Sequence, residues 1–542
     1  MSLRATDYVY GTQPYDHQDE GFFLSRNKDA FALLMEQGTG KTKVSIDTAA
    51  WLYNRGQISG MFILAPNGVH RNWIENEVPK HMPDYVLHDA CYWTANPKVA
   101  EKAAMGKLAS VGHPALKILA MNVEALNTIK GYEMAKNFLM AFRCLMIVDE
   151  STVMKNFKAV RTEKILELGK HAPYRRILTG TPVTQSPMDI YTQFAFLDEY
   201  IFKDTLSPFA FKARYAHLLE DVDSLVGLPS HMVKQIYNLR KIRQTPKGRN
   251  VQLEMRDAQG RPMYKNLDEL QKIIAPYSFR VLKEDCLDLP PKIYQKRYVD
   301  LSPNQEKLYN DLKKDMMAEF NGQTMTTQLA LTKMLRLQQI VGGFFCPDAE
   351  VQMDEDGELI SPDRKRAPIV TAIDKKNPRI ESFLEYIQDS PGKVLGWARF
   401  RAEIEALVAR INDEFGEGYA APLYGGSGGH VAEYRQAAIK GYEEDVLPAV
   451  LIGNPQAKGV SRGQTMVRGQ TVGYYSNSFS LEDRLQSEDR AHRIGQTGGK
   501  QNHVLYTDFE APDTLDTKVI DALRNKKDVA DMVTGDDIKS WI

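Results

Sequence analysis

The sequence predicts an α/β protein with two tandem lobes, each a doubly wound parallel sheet, carrying helical insertions. Three observations lead there. Short apolar runs alternate with longer helical patterns through the first third of the chain, and the same alternation returns in the last third. The residues with evident chemistry stand at the carboxyl ends of those runs, where doubly wound sheets bind their ligands.

The first set of runs is Phe31–Met35, Met61–Ala65, Lys117–Ala120, Cys144–Val148 and Arg176–Leu178. The second is Lys393–Trp397, Ala420–Tyr424, Ala449–Ile452, Thr471–Tyr475 and Asn502–Tyr506. Unbroken apolar runs of this length, rather than alternating ones, mean strands covered on both faces. Between the two sets, roughly Tyr200 to Ile380, lie helical patterns such as Asn304–Phe320 and Thr326–Ile340, the punctuation Leu289-Pro290-Pro291 and the acidic loop Asp354–Glu358. This region reads as helical insertions and a linker. The expected division is a first lobe over 1–200, its helical insertion over 201–297, a helical insertion and linker over 298–380, a second lobe over 381–510 and a C-terminal helical extension over 511–542.

With 542 residues, 43% hydrophobic and 26% charged, the chain can bury more than one core as a soluble protein. Its net charge of -1 requires any nucleic-acid contact to come from local basic patches. Cys91, Cys144, Cys286 and Cys346 are scattered with no CxxC pair, so the spacing indicates neither zinc nor a disulfide framework. No basic-then-apolar leader and no bilayer-length apolar run is present, so a reducing, intracellular setting is expected.

The first chemical signal is Gln37-Gly38-Thr39-Gly40-Lys41-Thr42, directly after Phe31–Met35. Glycines allow backbone N–H groups to converge on an anion, and the following helix turns its positive end towards it. Lys41 would reach the β- and γ-phosphates and the Thr42 hydroxyl would hold magnesium. The stretch departs from the strict pattern in having Met35 at its first glycine position. The second signal is Asp149-Glu150, ending the run Cys144–Val148. Asp149 would hold hydrated magnesium and Glu150 would polarise the water that attacks the γ-phosphate. The third is Gln486 to Gln496, in which Arg490 and Arg493 stand three apart and would share a helix face as arginine fingers. By itself this segment reads more readily as a surface helix paired internally through Glu488 and Asp489.

Nearly the full length of the chain resembles the SWI/SNF-type ATPases of helicase superfamily two, with the motifs in that family's order. His17-Gln18 is similar to the adenine-reading glutamine motif, and Met35 to Thr42 to the phosphate loop. Leu64-Ala65-Pro66 with Asn72-Trp73 resembles the motif after the first crossover helix. Asp149-Glu150-Ser151-Thr152 stands at the DEAH-type box, followed by Lys155-Asn156. Leu178-Thr179-Gly180-Thr181-Pro182 resembles the motif coupling hydrolysis to lobe movement. Phe279-Arg280, Leu289-Pro290 and Gln305 with Tyr309 echo the bridge between lobes. Asp489-Arg490-Ala491-His492-Arg493-Ile494-Gly495-Gln496 matches the last motif closely. Two motifs diverge: Lys458-Gly459-Val460-Ser461-Arg462-Gly463 replaces a glycine-rich fifth motif, and the box reads Asp-Glu-Ser-Thr.

The resemblance implies two RecA-like lobes that use ATP with Mg2+. Nucleotide would be held by Gln18, Gly38, Thr39, Gly40, Lys41 and Thr42, and magnesium by Thr42 and Asp149. Lys41, Glu150, Arg490 and Arg493 would be catalytic, and Thr179, Gly180, Thr181, Gly459 and Gln486 would couple hydrolysis to movement. It implies an ATP-hydrolysing nucleic-acid motor, first of all a double-stranded DNA translocase or remodeller. A strand-separating DNA or RNA helicase and a catalytically weak nucleic-acid-binding scaffold remain as alternatives. Double-stranded DNA is the expected partner, with single-stranded DNA or RNA as alternatives and no membrane. The setting would be the cytoplasm of a bacterial or virus-infected cell. Candidate phosphate contacts are Arg240-Lys241-Ile242-Arg243 with Lys247 and Arg249, Arg364-Lys365-Arg366, Lys375-Lys376, Thr94, Asn122 and Ser476-Asn477. The basic runs read equally as solvated faces, the polar residues equally as turn and cap residues, and Trp73 as a core aromatic.

Overall fold

A computed structural model of the chain describes residues 8–67, 69–95, 97–108, 114–221, 228–243, 252–258, 261–321, 327–345, 370–423, 429–444, 446–456, 466–493 and 503–534. The chain divides into two units, the first of Met1–Asp288 with Arg524–Ile542 and the second of Leu289–Leu523.

The first unit is built on β1 (Ala30–Met35), β2 (Gly60–Ala65), β3 (His88–Tyr92), β4 (Leu116–Asn122), β5 (Cys144–Asp149), β6 (Tyr174–Leu178) and β7 (Ser278–Val281). They form one sheet in the order β3-β4-β2-β5-β6-β1-β7, with every neighbouring pair parallel. Successive side chains of a strand point to opposite faces, so each apolar run feeds two cores. Ala32 and Leu34 pack with Phe62, Leu64, Met146 and Val148 on one face. Phe31, Leu33 and Met35 pack with Ile63, Ile147 and Leu178 on the other. One fully buried residue of β6 is charged. Arg176 is fully buried and donates to the carbonyls of Ser25 (2.6 Å), Lys28 (2.7 Å), Asp29 (3.2 Å) and Arg175 (2.8 Å). It thereby closes the end of the helix Asp16–Ser25 and the turn that leads into β1.

The second unit repeats the plan with β8 (Lys292–Tyr298), β11 (Val394–Trp397), β12 (Ala420–Leu423), β13 (Val450–Gly453), β14 (Thr471–Tyr474) and β15 (Val504–Glu510). Their order is β12-β13-β11-β14-β15-β8, again parallel throughout. Val394, Val450 and Ile452 face one core, and Leu395, Trp397 and Leu451 the other. A separate antiparallel pair joins β9 (Phe344–Phe345) to β10 (Thr371–Ala372). No described helix is long and apolar enough to cross a membrane.

The architecture is the one the alternation of runs predicts, and every expected strand is present with its ends shifted by a few residues. The helices Pro303–Asn321 and Thr327–Val341 also stand where their patterns place them. Three strands of the two large sheets lie outside the expected runs: β3, β7 and β8. All three are edge strands. An edge strand is covered on one side only, and β3 and β8 are half-exposed along most of their length, so neither carries an unbroken apolar run. The segment between the lobes therefore supplies β7 to the first sheet and β8 to the second, besides its helices.

Candidate functional site

The strands β5, β6 and β1 lie side by side, so the segments leaving their carboxyl ends meet at one edge of the first sheet. These are Asp149-Glu150, Thr179-Gly180-Thr181 and Glu36–Thr42. Met35, at the departing first-glycine position, is the last residue of β1 and is fully buried in the core. The turn begins only at Glu36, which explains why no glycine is needed there. Gly38 (φ +82) and Gly40 (φ +97) take left-handed conformations. At Gly40 a Cβ would also lie 2.2 Å from Gln18 Nε2. Thr39 Oγ1 donates to the Glu36 carbonyl (2.7 Å), closing the turn. The helix Lys41–Asn54 then starts, with Thr42 half-buried at its first turn. Lys41 is nearly buried and its ammonium donates to the Met35 carbonyl (2.9 Å), inside the loop. His17 Nε2 and Gln18 Nε2 both bond the Thr39 carbonyl (2.8 and 3.1 Å), so the glutamine motif is tied directly to the phosphate loop.

The acids are equally constrained. Asp149 accepts from the Trp73 indole Nε1 at Oδ2 (2.8 Å) and from the Glu150 backbone N–H at Oδ1 (3.0 Å). Burial and then the neighbouring Glu150 charge push its pKa up, while Trp73 and Lys41 pull it down. Glu150 holds a left-handed backbone (φ +50) and accepts from Gln37 Nε2 at 3.1 Å. That bond joins the phosphate loop to the acid box directly. Gly180 is pressed against the same loop: a Cβ there would lie 3.0 Å from the Gln37 nitrogen and 3.2 Å from Glu36 Cα. Thr179 Oγ1 accepts from the Thr181 N–H (3.1 Å), shaping the turn. Arg280, on β7, donates to the carbonyls of Gly180 (2.9 Å) and Leu34 (3.0 Å), fixing turn and strand together.

Sequence reasoning did not foresee three of these partners. Trp73 is a core aromatic, as expected, but one whose indole orients Asp149. In the sequence Gln37 stands only as the opening of the loop, and Arg280 only in the segment that resembles the bridge between lobes.

Gln486, Arg490 and Arg493 belong to the second unit. The helix Leu481–Ala491 is capped by Ser480 Oγ, which accepts from Asp483 N (3.2 Å). A buried network mounts it on the sheet. The Arg484 guanidinium lies 3.5 Å from the Tyr474 ring centre and donates to Glu488 (2.8 Å), Asn477 (3.0 Å) and Asp508. Tyr294 OH also donates to Glu488 (2.7 Å). Burial alone would raise the Glu488 pKa, but Lys292 and Arg484 outweigh it and hold it at about 2. Glu488 is thus committed to mounting the helix. Gln486 Nε2 donates to Glu482 (3.3 Å). Arg490 is buried, and its carbonyl accepts from Met466 N (2.9 Å). Arg493 is half-buried beyond the last helical residue, its Nε on the Asp489 carbonyl (3.0 Å). The two arginines therefore do not share a helix face as their spacing suggested, because the helix stops at Ala491.

Among the nucleic-acid candidates, Arg240 is exposed on the helix Ser230–Arg243, and Lys375 and Lys376 are exposed ahead of the helix Pro378–Asp389. Asn122 stands at the N-cap of the short helix Val123–Asn127. Ser476 donates to Glu403 (2.6 Å) and Asn477 to Asp508 (2.8 Å), so both are used internally. Thr94 is half-buried. Gly459 with the rest of Lys458–Gly463, Lys247, Arg249, Arg364–Arg366, Asp354–Glu358 and Ile494–Gln496 lie outside the described residues, as do the side chains of Lys241 and Arg243.

The first unit has the build of a phosphate-loop nucleotide-binding domain. Within that class the chain belongs to the SNF2-related family: residues 17–342, more than half its length, match the SNF2-related domain. It is 24% identical over 477 residues to the chromodomain-helicase-DNA-binding protein 1-like of Danio rerio, covering 87% of this chain and 39% of that protein. It is 24% identical over 520 residues to the DNA annealing helicase and endonuclease ZRANB3 of Bos taurus, covering 94% and 40%. The chain thus spans less than half the length of these curated relatives. Among solved structures, it is similar to the Sulfolobus solfataricus SWI2/SNF2 ATPase core in complex with dsDNA, at 18% identity and a TM-score of 0.38, over 98% of this chain and 96% of that one.

Proposed function

We propose that the chain is an ATP-hydrolysing motor that moves along double-stranded DNA without sustained strand separation. The observation that carries this reading is the junction of loop and acid, Gln37 Nε2 on Glu150 Oε1 at 3.1 Å, at the carboxyl edge of the sheet. In the proposed cycle Lys41 leaves the Met35 carbonyl and meets the β- and γ-phosphates, to which its charge is better matched. Glu150 leaves Gln37 and polarises the attacking water. For Arg490 and Arg493, in the second unit, the family resemblance supplies the role of meeting the charge that develops on the γ-phosphate.

Thr42 and Asp149 would hold magnesium. A hydroxyl and a carboxylate are hard oxygen donors, and each Asp149 oxygen accepts one protein hydrogen bond and keeps a lone pair for a hydrated ion. Bound there, the ion would offset phosphate charge. DNA as the track is supported by family membership and by the names of the two relatives, both of which mention DNA and helicase. A cytoplasmic setting goes with this reading.

The test is phosphate release with and without duplex DNA, beside displacement of a third strand from a triplex. Turnover stimulated by duplex, with triplex displacement and no opening of a blunt duplex, is expected. Glu150→Gln should lower turnover by roughly a hundredfold or more. Robust opening of a long blunt duplex, or turnover indifferent to DNA, overturns the reading.

A further inference from the structure

The acid box is tied to the Thr179–Thr181 turn by a residue outside every motif. Ser151, directly after Glu150, donates its hydroxyl to Gln193 Oε1 (2.6 Å). Gln193 sits on the helix Asp189–Leu197 and donates from Nε2 to the Pro182 carbonyl (2.7 Å) and to the Asp189 carbonyl (2.7 Å). Ser151 and Gln193 are both fully buried. The amide is used on both its donor hydrogens and on its oxygen, so its plane is fixed, and it holds three elements in one orientation. An apolar contact of the same size would fill the space without setting that orientation.

These bonds complete a ring. Gln37 bonds Glu150, and the Gln37 backbone abuts Gly180. Gly180 runs through Thr181 to Pro182, Pro182 is held by Gln193, and Gln193 holds Ser151 next to Glu150. Hydrolysis as proposed above loosens one side of the ring, because Glu150 turns from Gln37 towards the attacking water. The Gln193 side then remains as a tie between acid and turn. A parallel strut stands farther along, where Lys155 Nζ donates to Thr184 Oγ1 (2.6 Å).

We propose that Gln193 is a positioning residue that makes the acid box and the Thr179–Thr181 turn move as one body, so that the state of Glu150 reaches the turn. The proposal rests on the motor reading above. Gln193 is fully buried with its amide used within the protein; it acts through Ser151 and Pro182.

The test uses the full chain and compares wild type, Ser151→Ala, Gln193→Leu and the double variant. Phosphate release is measured over ATP concentration with and without duplex DNA. Each single variant is expected to lower the ratio of DNA-stimulated to basal turnover about tenfold while KM for ATP moves less than about threefold. The double variant should be no worse than Gln193→Leu, because both changes cut the same tie. A residue that merely supports the fold would lower basal and stimulated rates together, so an unchanged ratio overturns the proposal, as does an additive double variant. Ser151→Ala removes one oxygen and decides the matter if Gln193→Leu does not fold. Wild-type chain without DNA-stimulated turnover overturns the motor reading itself, and the tie with it. Normal wild-type behaviour with an unchanged ratio in the variants overturns the tie alone.

Discussion

Lys41 shows how a residue can be read from its neighbours alone. Its chemistry follows from the glycines before it and the helix after it, all within a few positions of sequence. In the structure its ammonium is held by the Met35 carbonyl, inside the turn it serves. Lys41→Ala removes the only side-chain cation that the glycine turn contributes, and kcat/KM for ATP should fall by roughly a hundredfold or more, with melting temperature little changed. Steady-state kinetics beside a thermal melt checks both halves of that expectation. The partners of the same site were less legible. Gln37 meets Glu150 across 113 positions, Trp73 meets Asp149 across 76, and Ser151 meets Gln193 across 42. No local pattern encodes such pairs; they exist only once the strands β5, β6 and β1 are side by side.

At the scale of the element, legibility followed coverage. The central strands announce themselves because both faces are buried and most positions are apolar. The edge strands β3, β7 and β8 mix charge with apolar residues because one side is open. The helix Leu481–Ala491 was expected from its motif, but its end was not, and that end decides where Arg493 stands. Arg176 is the sharpest exception to the coverage rule, a charge at the centre of an apolar strand. Its environment holds its pKa down to about 9, chiefly through burial. Arg176→Met would keep the volume and leave buried carbonyls at the end of the helix Asp16–Ser25 without their donor. A loss of roughly 3–5 kcal/mol in unfolding free energy is expected, measured by denaturant titration of the first unit. A loss under about 1 kcal/mol would mean that the helix end finds other donors.

For the molecule as a whole, the dependence of stability on pH is set in part by Glu403 of the second unit. It is fully buried, accepts from Ser476 (2.6 Å) and the Phe400 N–H (3.1 Å), and packs so closely under Gly342 that a Cβ there would meet its Oε1 at 2.1 Å. Burial raises its pKa to about 7 from the usual 4.5, against the pull of Ser476, Phe400 and Arg379, with Asp516 adding to the rise. The folded value lies above the unfolded one, so this contribution to stability is full below about pH 4.5 and is lost as pH rises through 7. Glu403→Gln should therefore match wild type near pH 5 and exceed it by up to about 3 kcal/mol near pH 8. Melting curves of both proteins across that range test it, and parallel curves would show that Glu403 does not titrate with folding.

Trp73 gives the proposed nucleotide site an optical signal of its own. An indole whose N–H is shared with Asp149 emits according to the charge and polarity at that carboxylate. Only four other tryptophans compete with it in the whole chain. Titration with nucleotide and magnesium should shift the intrinsic emission, and Trp73→Phe should abolish most of that shift. Binding at the acid box would then be followed in real time without a label.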